Sequence, residues 1–315
     1  MERYTVQRVL APALYGDVVL CHDNLTGDQV AIKRMNIAAA RSQTMVNGHR
    51  RISEDVMFEK HVNQVLSSEG GHQHILRMRT DFVQNGFEHF VFDFCRGGEL
   101  FDVVNASEKL SNDASLRYFR QILSGVRYMH VQGLAHRDLS LENVLLDEHN
   151  NAKVCDFGLA ASVPSLRHEG VGKAFYMAPE VVSRLASDAD SRFRILKVKG
   201  LKKLVHMWNM TSVFEPEALD LLELMLHPNP EFRLTMDQVM NHEYVRNPVD
   251  EVAVHVASTK VEGMSSKCLS RAVAVKGKGI ASSVMNCLRN MNRRPSSRKI
   301  LAAPTQSIAD SVVTA

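Results

Sequence analysis

The chain has 315 residues, 45% hydrophobic and 23% charged, the profile of a soluble globular protein. Lys+Arg 38 against Asp+Glu 35 is close to balance and gives no reason to expect a nucleic-acid partner, and no apolar run nears the ~18 residues of a membrane span. Cys21, Cys95, Cys155, Cys268 and Cys287 are scattered and lack CxxC spacing, and MERYTVQRVL has no signal-peptide core, so the expectation is a reducing cytosolic or nuclear setting without disulfides or zinc.

From the N-terminus, VVLCHD, the turn NLTGDQ and VAIKRM predict a hairpin turning at Asn24 to Gly27. NIAAARSQTMVNGHRRISED is polar and basic and reads as a surface insertion or frayed helix. From Glu54 to Leu66, the apolar Val56, Phe58, Val62, Val65 and Leu66 predict one face of a helix. HFVFDF predicts a buried strand, Gly97-Gly98 a break, and Glu99 the start of a short helix. The clearest helix spans 111–130, capped by Ser111, with Leu116, Phe119, Leu123 and Val126 recurring on one side. NVLLD and AKVCDF predict short strands around the turn EHNN. Beyond residue 180 the pattern is helical, at 200–208, at 216–226 and after a TMDQ capping box. Strands first and helices after predict an α+β fold in two lobes, 1–94 and 95–246, followed by a tail, 247–315.

Taken singly, AIKRM is an amphipathic strand with a solvated lysine, and DFG is a turn. In order, Tyr15-Gly16, Ala31-Ile32-Lys33, Glu59, His136-Arg137-Asp138, Asn143, Asp156-Phe157-Gly158 and Ala178-Pro179-Glu180 resemble the eukaryotic protein kinases of serine/threonine type. RGGELFD is nearest in look to the calcium/calmodulin-dependent group. The resemblance implies a bilobal fold with a β-rich N-lobe and a mainly helical C-lobe, and phosphoryl transfer from ATP to serine or threonine hydroxyls of proteins. It implies Lys33 on the α/β-phosphates, Glu59 as its ion-pair partner, Asp156 and Asn143 as oxygen ligands of Mg²⁺, and Asp138 as acceptor of the target hydroxyl's proton. The stretch 36–53 would be the insertion that lengthens the interval between Lys33 and Glu59. Ala11, Ala13, Gly16 and Val18 fall at the phosphate loop, and Ala31, the gatekeeper Phe92, Asp93 and Cys95 at the adenine end. Glu99 is grouped with the nucleotide-binding residues and could attract an arginine of a substrate.

Four departures from the family pattern stand out. Two of the three phosphate-loop glycines are Ala11 and Ala13, so the backbone should approach phosphate less closely and ATP should bind more weakly. Ser140 occupies the position of a family lysine, while Lys173 replaces a threonine that faces it; Lys173 either restores the ammonium beside Asp138 or points to solvent. The activation segment, 156–180, has no threonine, and Glu169 falls at the usual phosphorylation position, either pairing with Arg137 or solvated. After Ser183 the chain passes to RLASDADSRFRIL without the long apolar helix that runs through the family's C-lobe, so the Asp138 turn should lose its support. At both ends of that gap the pattern resumes, and Arg233 is the expected partner of Glu180.

The tail between Lys260 and Lys299 is basic and rich in small residues, which reads as disorder. Its alternative is a basic amphipathic segment built on Ile280, Val284, Leu288 and Met291, suited to a calmodulin-like protein or another acidic partner. The expected function is a protein serine/threonine kinase using ATP and Mg²⁺; the alternative is a catalytically impaired pseudokinase acting as a nucleotide-binding or interaction scaffold.

Overall fold

The alternating apolar runs of the first hundred residues close into one antiparallel sheet. A computed structural model describes residues 2–42, 54–107, 109–163, 171–173, 176–181 and 200–246. Strands β1 (Tyr4–Ala13), β2 (Gly16–Asp23), β3 (Gln29–Asn36), β4 (Met78–Gln84) and β5 (Phe87–Asp93) are ordered β1-β2-β3-β5-β4. The inward positions Val19, Cys21, Val30, Ile32 and Val91 are fully buried with Tyr4, as period-2 strands with one covered face require. Helix α1 (Ile37–Ser42) follows β3, and helix α2 (Val56–Ser67) lies between β3 and β4 in sequence. The helix expected from Glu54 begins two residues later, because the Asp55 carboxylate accepts from Met57 N and Phe58 N and is therefore the N-cap. Val62, Leu66 and Glu59 are buried along it, while Met57 is exposed.

The second half is organised on helix α4 (Asn112–Val131), capped as expected by the Ser111 hydroxyl on Ala114 N. Helix α3 (Leu100–Ala106) precedes it, and short strands follow: β7 (Leu134–Ala135), β8 (Val144–Leu146), β9 (Ala152–Val154) and β10 (Ala161–Ser162). Gly97-Gly98, expected as a break, instead runs into a two-residue strand, β6 (Gly98–Glu99), on the edge of β8. The close packing explains it: a Cβ on Gly97 would lie 2.6 Å from the Leu146 Cβ. Helix α5 covers 200–207, followed by α6 (Pro216–Met225), α7 (Met236–Asn241) and α8 (Glu243–Arg246). Thr235 and Gln238 form the capping box that TMDQ predicts.

Three apolar clusters meet on α4. Val126 and Met129 pack with Val62 and Leu66 of α2 and with Phe157. Tyr118 packs with Leu100, Val144, Leu146 and Ala152. Leu123 packs with Leu221, Val239 and Val245 of the last helices. The fold is thus α+β, a sheet-rich N-terminal part on a helical C-terminal part. Where the family carries its central helix, residues 182–199 lie outside the described residues, as do Glu169 and the basic tail. Among the described residues no helix is long and apolar enough to cross a membrane.

Candidate active site

The N-terminal wall of the cleft is set by α2. With Asp55 as N-cap, Glu59 falls in the first turn and faces inward, 2% exposed. It meets Lys33, which β3 presents across from Phe90 of β5, with Lys33 Nζ 2.6 Å from Glu59 Oε1. The same ammonium lies 3.4 Å from Asp156 Oδ1. Burial by itself would lower Lys33, but Glu59 and Asp156 outweigh it and hold the amine protonated well above its ordinary range. Lys33 in turn holds the Asp156 carboxyl below its ordinary value against the opposing effect of burial. Asp156 thus stays ionised, with its side chain 46% exposed to the cleft.

The opposite wall is the turn after β7. His136 is buried, donates from Nε2 to the Cys155 carbonyl (3.0 Å) and accepts Asp138 N at Nδ1 (3.3 Å). Phe157 stands edge-on to the His136 ring, 5.5 Å between centroids, and is itself buried under α2. Asn143 Nδ2 donates to the Asp138 carbonyl (2.7 Å) and to Asp138 Oδ2 (2.9 Å). The asparagine is therefore a brace of the turn, and its amide oxygen is the atom that could face a cation. Arg137 and Asp156 adopt left-handed backbone angles, φ 64° and 63°, held by the contacts around them. The helix whose loss is expected to weaken the Asp138 turn would fall outside the described residues; within them, His136, Asn143 and the amide of Lys173 (2.9 Å to Asp138 Oδ1) hold Asp138 from three directions.

Lys173 reaches inward rather than to solvent, with Nζ 2.8 Å from Ser140 Oγ and 3.3 Å from Asp138 Oδ2. Arg137 Nε donates to the Leu159 carbonyl at 2.7 Å, while its expected partner Glu169 lies outside the described residues. Arg233 grips Glu180 with both terminal nitrogens, at 3.0 and 2.6 Å.

The roof differs from an arched glycine loop. Ala13 pairs with Gly16, and Ala11 with Val18, so β1 and β2 continue to a two-residue turn, Leu14-Tyr15. Gly16 does not have a left-handed backbone, and a Cβ there would overlap the Arg34 carbonyl oxygen of β3. Gly16 lets β2 lie close on β3, without the positive φ expected of a phosphate-loop glycine. Tyr15 turns into the core, fully buried beside Met35, Val56 and Phe90, and donates its hydroxyl to the Glu54 carbonyl at 3.1 Å. At the adenine end, Phe92, Cys95 and Cys155 are buried, with Ala31 and Leu145 against them. Asp93 ends β5, its carboxylate held by Arg79 at 2.5 Å. Glu99 is half-buried near Asp102 and Glu142, and burial first, then these two acids, push its carboxyl up.

Sequence reasoning missed Glu54, whose carboxyl lies against the Gly158 backbone: a Cβ there would come 3.0 Å from Glu54 Cδ. Nothing local marks it, since it sits at the ragged edge of the insertion rather than in a motif.

These residues fit a triphosphate with magnesium. An ionised, half-open Asp156, an Asn143 amide oxygen and a protonated Lys33 provide the mixture of hard oxygen ligands and cation such a group needs. Among the described residues no cluster of three or more His, Cys, Asp or Glu ligands occurs. The alanines of the roof supply none of this.

The model of the protein kinase domain matches residues 4–193. Similar proteins include CBL-interacting protein kinase 29 of Oryza sativa subsp. japonica, 32% identical over 81% of this chain and 62% of the relative. CBL-interacting serine/threonine-protein kinase 2 of Arabidopsis thaliana is 30% identical over 83% of this chain and 59% of the relative. This chain therefore spans about three fifths of the length of these curated relatives. A family match over more than half of the chain, coinciding with Lys33, Glu59, Asp138, Asn143 and Asp156 in one cleft, has a single reading: the chain belongs to the protein kinase domain family.

Proposed function

We propose that this chain transfers the γ-phosphoryl group of ATP to serine or threonine hydroxyls of proteins, using Mg²⁺. One observation carries the reading: Lys33, Glu59, Asp138, Asn143 and Asp156, from four separate stretches of sequence, converge with the ion pairs and hydrogen bonds that phosphoryl transfer requires. Lys33 would neutralise phosphate charge while Glu59 fixes its direction. Asp156 and Asn143 would hold the metal, whose chemistry is to offset phosphate charge when bound. Asp138, oriented by Asn143 Nδ2, would accept the target hydroxyl's proton.

The names of both relatives support protein hydroxyls as acceptors, and one specifies serine/threonine. The carboxylates of Glu99 and Glu142, close enough for the second to push the first up, support a basic residue near the target hydroxyl. The relatives are named for interaction with CBL, and a partner of that kind is a better-supported regulator than the calmodulin-like protein expected for the tail, which lies outside the described residues. A cytosolic or nuclear setting belongs to the same reading, supported by the buried free thiols of Cys21, Cys95 and Cys155. The comparisons lend the scaffold alternative no support.

The test uses the full chain, with a basic serine peptide as acceptor. Asp138→Asn is expected to lower transfer by about 10²–10⁴-fold while keeping the thermal shift given by Mg-ATP. Asp156→Asn is expected to lose both. A wild-type protein that is stabilised by Mg-ATP yet transfers nothing to any hydroxyl acceptor would overturn the assignment.

A further inference from the structure

The segment that ends in Lys173 lies on the catalytic turn with little clearance. Gly172 has φ 95°, and a Cβ there would come 2.6 Å from the Arg137 carbonyl oxygen and 3.0 Å from Asp138 Oδ1. Only glycine lets the backbone pass at this distance. The close passage puts Lys173 N on Asp138 Oδ1 at 2.9 Å and folds the side chain back, so that Nζ reaches Ser140 Oγ at 2.8 Å and Asp138 Oδ2 at 3.3 Å. Ser140 is 4% exposed and small, so it supplies a neutral anchor without filling the space. The Lys173 side chain is 39% exposed. An ammonium has three donors, and two are used here on one side, which leaves the third toward the open side. A long, costly side chain has thus been pinned beside the base by two contacts of its own rather than left in water.

We propose that Lys173 is a catalytic residue: its ammonium, seated on Ser140, contacts the phosphoryl group as it passes to the target. This rests on the kinase reading given above. In the step, the target hydroxyl oxygen bonds to phosphorus, the bond from phosphorus to the bridging oxygen of ADP breaks, and the hydroxyl proton goes to Asp138 Oδ2. An oxygen within hydrogen-bond distance of Asp138 places the incoming phosphoryl oxygens within reach of an ammonium 3.3 Å from the same carboxylate. Charge that Lys33 neutralises from the N-terminal wall is then met on the acceptor side from a separate segment, after Gly172, and not from the catalytic turn itself. Fixed charge aimed at the group in flight acts mainly on kcat.

The experiment measures kcat and KM for Mg-ATP and for a basic serine peptide in the full chain, with the unfolding temperature of each variant as control. Lys173→Met is expected to lower kcat by about 10²-fold and leave the KM for ATP within about twofold. Lys173→Arg, which keeps the charge, is expected to retain most of kcat. The exchanged pair Ser140→Lys/Lys173→Ser, which returns one ammonium to the same place from the other side, is expected to recover at least about tenfold of the loss. A purely structural Lys173 would not be rescued by moving its charge. If wild type is active and Lys173→Met keeps its kcat, or if the folded exchanged pair is no better than Lys173→Met, the proposal is overturned. Inactive wild type would instead strike the kinase reading itself.

Discussion

Glu54 sits in surroundings that are unusual for a carboxylate. Burial raises its carboxyl to about 7, with the Lys33 ammonium pulling it down and Asp156, Glu59 and Asp138 pushing it further up. A carboxyl whose folded value lies above its unfolded value binds its proton more tightly in the native state. Its contribution to stability is complete below the unfolded value of 4.5 and is lost as pH rises through about 7. In nucleotide-free, metal-free protein, the unfolding temperature should therefore fall between about pH 4.5 and pH 7 and level off above that. Glu54→Gln, which keeps the shape without the titration, should flatten that slope; equal slopes in both proteins would rule Glu54 out as the source. The motif residues Lys33, Asp138, Asn143 and Asp156 were legible because their order and spacing are constrained together. Glu54 was not, because its meaning comes from Gly158, more than a hundred positions away.

At the scale of elements, the roof hairpin illustrates what local pattern can and cannot say. Where a signal is local, the sequence reading matches the structure: Ser111 caps α4, and Thr235 with Gln238 caps α7. Strand β6 escaped it, since two residues have no period and owe their state to pairing with β8. The motif at Gly16 points to phosphate, and what it does not announce is the neighbouring Arg34 carbonyl of β3. A methyl group there must push β2 off β3. Gly16→Ala should cost about 1–3 kcal/mol, seen as a lower unfolding temperature. Ala13→Gly, at the paired position, adds no atoms and should cost no more than about 1 kcal/mol through backbone freedom. If Gly16→Ala melts with wild type, the close approach of the two strands does not matter to the lobe.

At the scale of the whole molecule, the C-terminal helices are the part whose attachment needs explaining. They meet the rest through the Leu123 face of α4 and through Glu180, which Arg233 holds bidentately while also donating to the His227 carbonyl at 2.9 Å. Apolar side chains remain open along this region, with Phe232 67% and Met207 55% exposed. A charge-assisted, half-buried pair is worth about 1.5–3 kcal/mol, and a region held by few clusters should feel its loss locally. Arg233→Lys keeps the charge but cannot form the two-pronged grip. In hydrogen exchange, that variant should speed α6–α8 by roughly tenfold or more, since about 1.4 kcal/mol is a factor of ten in an opening equilibrium. The amides of β2, β3 and β5 should keep their wild-type rates, because their apolar clusters include no residue of α4 or of the last helices. Acceleration spread evenly over sheet and helices would mean that the two halves open as one unit, and that the Glu180–Arg233 pair secures the whole fold rather than its last helices.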